Sequence, residues 1–135
     1  MLVPQLSIFL ENKVGQLSEL TGLLRNANIN LNALNIAETA DYGIVRIIVD
    51  RPDDAKALLT AEEYIFSETP VVLAFVENRP GGLDDVLKLI AAAGISIEYM
   101  YSIFGSVGNR ACMAFRVDDP ERLTVVLREH HLNYE

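Results

Sequence analysis

The stretch Glu11–Ile36, ENKVGQLSELTGLLRNANINLNALNI, decides the fold because the chain contains it twice. Residues 77–102 read ENRPGGLDDVLKLIAAAGISIEYMYS, the same pattern 66 positions later (77 − 11 = 66). Glu11/Glu77, Asn12/Asn78, Gly15/Gly81, Leu17/Leu83, Leu23/Leu89, Ala27/Ala93 and Ile29/Ile95 are identical. Lys13/Arg79, Glu19/Asp85 and Leu24/Ile90 are conservative pairs. Further on, Val49-Asp50-Arg51-Pro52 answers to Val117-Asp118-Asp119-Pro120 at an offset of 68. The second copy therefore holds two extra residues, expected in the turn Gly105–Gly108, where insertion costs little closure entropy.

Each copy reads as βαββαβ. Leu6, Ile8 and Leu10 alternate like a half-buried strand, and so do Val72, Ala74 and Val76. Leu17, Leu20, Leu24 and Ala27 share one helical face, repeated by Leu83, Val86, Ile90 and Ala93. Asn28 and Gly94 stand where a left-handed helix cap is wanted. Second strands are expected at Asn30–Glu38 and Ser96–Phe104, and third strands at Ile44–Asp50 and Ala111–Val117, after turns at Asp41-Tyr42-Gly43 and Gly105–Gly108. Pro52 and Pro120 suit the first turn of a second helix, with Asp50 or Asp119 near its cap. Fourth strands follow at Tyr64–Glu68 and Leu132–Glu135. The expected fold class is α+β, two ferredoxin-like domains in tandem (1–69 and 70–135) with helices on one sheet face. Right-handed crossovers put each second strand at a sheet edge, and edge-to-edge joining of the two would remove an exposed edge.

Composition narrows the function classes. In 135 residues, 19 acidic side chains against 11 basic ones give a net charge of −8, which repels nucleic acid and anionic membranes. No run approaches the roughly 18 apolar residues of a membrane helix, and Met1-Leu2-Val3-Pro4 lacks the features of a signal peptide. A cytoplasmic protein is the expectation. Cys112, the single cysteine, lies in the apolar run Ala111–Phe115 and reads as a buried inert thiol. His130 and His131 lack a third ligand at metal spacing, so no metal and no cofactor is expected. Domains of about 65 residues bury only about 60% of their unfolded surface, so two such units should support each other.

The loops Asn12-Lys13-Val14-Gly15 and Asn78-Arg79-Pro80-Gly81 carry the functional signal, because each runs from a strand end into a helix start. Free N–H groups and the positive end of the helix dipole favour a carboxylate there. Glycine allows close approach, and the asparagine amide offers a donor and an acceptor to a zwitterion. The same residues also suit an ordinary turn, and Lys13 and Arg79 read as solvated charges.

Glu77-Asn78-Arg79-Pro80-Gly81-Gly82-Leu83 followed by Ala93-Gly94-Ile95-Ser96-Ile97 resembles the ACT domain, a small regulatory module of amino-acid metabolism. Asn12–Leu17 and Ala27–Leu31 are similar to it in the first copy, so the resemblance covers nearly the whole chain as a tandem pair. It implies a ferredoxin-like fold, amino-acid binding at domain interfaces and control of an enzyme rather than catalysis. Onto this chain it carries over Asn12, Gly15, Gln16 and Leu17 of the first loop, Asn78, Gly81, Gly82 and Leu83 of the second, and Asn30 and Ser96 opening the second strands. Serine-binding members often have a histidine two residues before the loop asparagine. Leu10 and Val76 stand there, which favours an apolar or aromatic amino acid over serine. The expected partners are a free amino acid and a metabolic enzyme or further copies of the chain. A catalytic reading on the same frame, of the acylphosphatase kind, would need a phosphate-binding loop arginine, for which Arg79 is the sole candidate and its loop does not match.

Overall fold

The computed structural model describes residues 1–11, 13–38 and 42–134, without the side chains of Glu38 and Tyr42. Asn12 and the turn residue Asp41 lie outside the described residues. The chain divides into two compact units: Pro4–Thr69, and the part from Pro70 onward together with Met1–Val3.

The first unit is built from β1 (Leu2–Glu11), α1 (Gln16–Asn26), β2 (Leu31–Glu38), β3 (Tyr42–Val49), α2 (Pro52–Ala61) and the start of β4 (Ile65–Glu77). Both β1 and β2 run antiparallel to β3, so they are parallel to each other with β3 in the gap between them. Leu6, Ile8 and Leu10 from β1 join Leu20 and Leu24 from α1, Val45, Ile47 and Val49 from β3, and Ala55 and Leu59 from α2 in one core. The period-2 and period-3.6 apolar patterns therefore converge on a single layer between sheet and helices.

The second unit repeats this with the end of β4, α3 (Gly82–Ala92), β5 (Ile97–Val107), β6 (Arg110–Val117) and α4 (Pro120–Glu129). Here β6 lies antiparallel between β4 and β5. Val72, Ala74, Val76, Val86, Ile90, Phe115, Val117, Leu123 and Leu127 form its core. Leu83 is exposed although it lies on the expected face, while Gly82 beside it is buried. β2 is laddered to β3 and β5 to β6; the expected pairing of the two second strands with each other is not among the ladders of the described residues.

Three local features differ from the sequence expectation. The two extra residues are absorbed inside β5, because Ser102 pairs with Met113 and Ser106 with Ala111, four steps against two. This bulge takes up Gly105 at φ +85°, leaving Gly108-Asn109 as a two-residue turn. Among the described residues, which leave out Glu135 of the expected last strand, that strand is one bridge, Ala74 to Asn133, after His131 at φ +57°. Beside it on β4, the Leu73 N–H donates to the Met1 carbonyl at 2.8 Å, which ties the N-terminus into this unit. Finally, Asp119 caps α4 by accepting from the Arg122 N–H at 3.2 Å, but the N-cap of α2 is Arg51. Asp50 instead accepts the Asn30 N–H at 2.9 Å, as Asp118 accepts the Ser96 N–H at 2.9 Å.

Candidate functional site

The two loops share one backbone design. Gly15 (φ +87°) and Gly81 (φ +85°) are the N-cap residues of α1 and α3, and among the described residues neither helix start has a side-chain cap. Left-handed φ at this point swings the chain sharply from strand into helix, a conformation that costs an L-residue roughly 1–2 kcal/mol. The Lys13 N–H donates to Glu11 and the Arg79 N–H to Glu77, so the turns match bond for bond at 2.9 and 3.0 Å. Each helix thus presents an N-terminus beside a strand end.

Side chains make the loops unlike. Lys13 pairs with Glu11 at 2.6 Å, and this hydrogen bond lowers the carboxyl pKa and raises that of the ammonium. The pair is well exposed, so it is weak and free to exchange partners. Arg79 is held by Asp85 at 2.7 Å and Glu77 at 2.6 Å, and its Nη1 donates to the Pro80 carbonyl at 3.1 Å. A guanidinium strapped to two carboxylates is a poor phosphate cradle. At the next position, a Cβ added to Gly82 would collide with the Glu77 carbonyl, whereas the first copy carries Gln16 there. Asn78 donates its backbone N–H to the Asn109 carbonyl at 2.9 Å, anchoring this loop to the β5–β6 turn.

Asn30 and Ser96 stand at the other end of their sheets. Glu11 pairs with Tyr42 at the start of β3, while Leu31 pairs with Val49 at its end. Seven residue steps of strand separate these ends by roughly 23 Å. Asn30 and the Gly15 loop of one unit therefore cannot touch a common small ligand. Asn30 Nδ2 donates to the Asn32 side chain at 3.0 Å.

In the first unit a cavity of about 750 Å³ opens beside the loop. Phe9, Leu10, Tyr64 and Ile65 form its apolar wall. Glu11, Lys13, Gln16 and Glu63 provide its polar rim. A smaller recess of about 80 Å³ shares Lys13 and Gln16 and adds Leu17, Ile36 and Gly43. Burial raises the Tyr64 phenol pKa, and the Glu19 and Glu62 carboxylates add to the rise. The residues of the α2–β4 junction, Glu63 to Ile65, were not legible as a site. The available signal was their divergence from His131-Leu132-Asn133 at the matching offset of 68.

A family model described as an ACT domain pair matches residues 1–135. The chain belongs to the ACT domain family. The acetolactate synthase small subunit of Haemophilus influenzae is 35% identical over 93 residues, 67% of this chain and 57% of that protein. The chain thus spans little more than half the length of this curated relative. The crystal structure of a protein from Bacteroides thetaiotaomicron is 44% identical, with a TM-score of 0.91 over 98% of this chain and 91% of that one. The regulatory subunit of aspartate kinase from Thermus thermophilus, in its ligand-free form, gives a TM-score of 0.70 at 13% identity over 95% of this chain and 90% of that one. At that identity the likeness shows the fold alone. The two units are a tandem pair of ACT domains, and among the described residues no helix is long and apolar enough to cross a membrane.

Proposed function

We propose that this ACT pair is a cytoplasmic, non-catalytic sensor that binds a free amino acid at its first loops and regulates a metabolic enzyme. The observation that carries the reading is the twice-built loop, with Gly15 and Gly81 left-handed at uncapped helix starts. An α-carboxylate suits such a helix terminus, and the asparagines Asn12 and Asn78 would serve the ammonium or carboxylate. Gln16, Leu17, Gly82 and Leu83 would border the ligand. Asn30 and Ser96 would reach it from another copy of the chain, through pairing of second-strand edges, since they stand far from the loop of their own unit.

The test is a thermal-shift screen of the twenty amino acids on the purified chain. A ligand at 100 times its Kd adds about 2.7 kcal/mol, or roughly 5–15 °C for a chain of this size. An apolar or aromatic amino acid should raise the melting temperature more than serine does. A flat screen at millimolar concentration, with calorimetry also silent, rejects the sensor. That result would promote a second reading, constitutive association with a catalytic subunit, which the similarity to an acetolactate synthase small subunit favours.

A further inference from the structure

We propose that the cavity of the first unit takes an amino acid whose side chain is an apolar stem ending in a cation, a guanidinium or a second ammonium. The proposal rests on the amino-acid reading and names the class of ligand at the first loop. A volume of about 750 Å³ is in the range of small-molecule sites. The charged groups of the rim are two carboxylates, Glu11 and Glu63, and one ammonium, Lys13. A basic amino acid carries the reverse set, two cations and one carboxylate.

The cations of the first unit explain why the rim stays acidic. Besides Lys13, residues 4–69 hold Arg25, Arg46, Arg51 and Lys56. Arg51 is held by Asp54 at 3.0 Å and by the Ala27 and Asn28 carbonyls at 2.7 and 2.6 Å. Lys56 pairs with Asp53 at 3.3 Å and with Glu68 at 3.2 Å. Arg46 donates to Asn35 on β2 at 3.3 Å, and Arg25 stands in the last turn of α1, at the end away from the loop. None of residues 12 and 39–41 is basic. Among the described residues Glu63 has no ion pair. At Tyr64, beside it, burial raises the phenol pKa and the Glu19 and Glu62 carboxylates raise it further, so the negative field continues along the wall.

Each group of such a ligand has a counterpart. The Glu11–Lys13 pair, its two side chains 66% and 69% exposed, costs little to open. Lys13 and the start of α1 then take the α-carboxylate, and Glu11 takes the α-ammonium. The stem lies along Leu10, Tyr64 and Ile65, as the methylenes of long basic side chains do on apolar surface. Glu63 receives the terminal cation, and a neutral side chain leaves this carboxylate unmatched.

The experiment is calorimetry on the full chain at physiological ionic strength, with L-arginine against its neutral isostere L-citrulline and L-lysine against L-norleucine. We expect each basic amino acid to bind at least about fivefold tighter than its neutral counterpart. Glu63→Gln should bring both ratios to within about twofold of unity while citrulline and norleucine bind as in the parent. Glu68→Gln, outside the cavity, should keep both ratios. Citrulline binding as tightly as arginine, a result that needs no variant, would overturn the assignment and leave amino-acid sensing standing. So would a preference that survives Glu63→Gln, or one that Glu68→Gln abolishes equally. Silence toward all twenty amino acids would overturn both.

Discussion

Gly82 and its neighbour Gly81 are both small for different physical reasons, and alanine at each should separate them. At Gly81 a Cβ would meet nothing closer than Arg79 Nη1 at 3.6 Å, an ordinary contact, so the cost comes from φ +85° alone. That cost is about 1–2 kcal/mol. At Gly82 the backbone is unstrained, but the added Cβ would run into the Glu77 carbonyl oxygen. The obstacle is main chain, so relief requires moving the end of β4 or the start of α3. Overpacking typically costs about 1–3 kcal/mol, and a rigid backbone obstacle belongs at or above the top of that range. At about 2–6 °C per kcal/mol, Gly81→Ala should lower the melting temperature by roughly 5 °C and Gly82→Ala by roughly 10 °C or more. Circular dichroism melts of the purified chain measure both. If Gly82→Ala melts with the parent, or above Gly81→Ala, the close approach inferred for Gly82 is wrong.

Two further outcomes follow from single contacts. Asp119→Ala removes the carboxylate that accepts the Arg122 N–H and should cost about 1 kcal/mol in urea unfolding, with Asp119→Asn losing less. Burial pushes the Cys112 thiol from near 9 up to about 11, with the N-terminal ammonium pulling weakly the other way. The folded chain then keeps a proton that the unfolded chain gives up, so this contribution is intact below about pH 9 and is lost as pH rises toward 11. The melting temperature of the parent relative to Cys112→Ala should therefore fall between about pH 8 and about pH 10.5, and an unchanged difference would contradict the raised thiol.

Much of the fold was legible because its determinants are local. Leu20 and Leu24, like Val86 and Ile90, fall one helical turn apart, and they are the apolar side chains buried on α1 and α3. Asn28 and Gly94 adopt the left-handed angles (+57° and +71°) that their places after a helix require. What stayed hidden depends on partners distant in sequence. Leu83 obeys the helical period yet is exposed, because the period fixes a direction and not what stands opposite. Asp50 and Asp119 both precede a proline by one or two residues, but only Asp119 caps a helix. The alternative acceptor role of Asp50 depends on Asn30, twenty residues away. The β5 bulge was likewise invisible, since Ile103-Phe104-Gly105 reads as strand and turn in either placement.

The divergence between the copies carries more functional information than their agreement. Selection for one fold keeps Gly15 and Gly81, whose angles agree within 2°. It has no need to keep Gln16 against Gly82, or Glu63-Tyr64-Ile65 against His131-Leu132-Asn133, since either set serves the same turns. These differences gather at one place in each unit, beside the loop and the end of the first strand. In the first unit they leave a cavity with an apolar wall and charged rim; in the second they leave Phe75 between Arg110 and Tyr134. Positions where the copies differ are therefore the ones at which the two units can differ in what they bind, and the number of amino-acid molecules bound per chain, one or two, is the quantity that separates one working site from two.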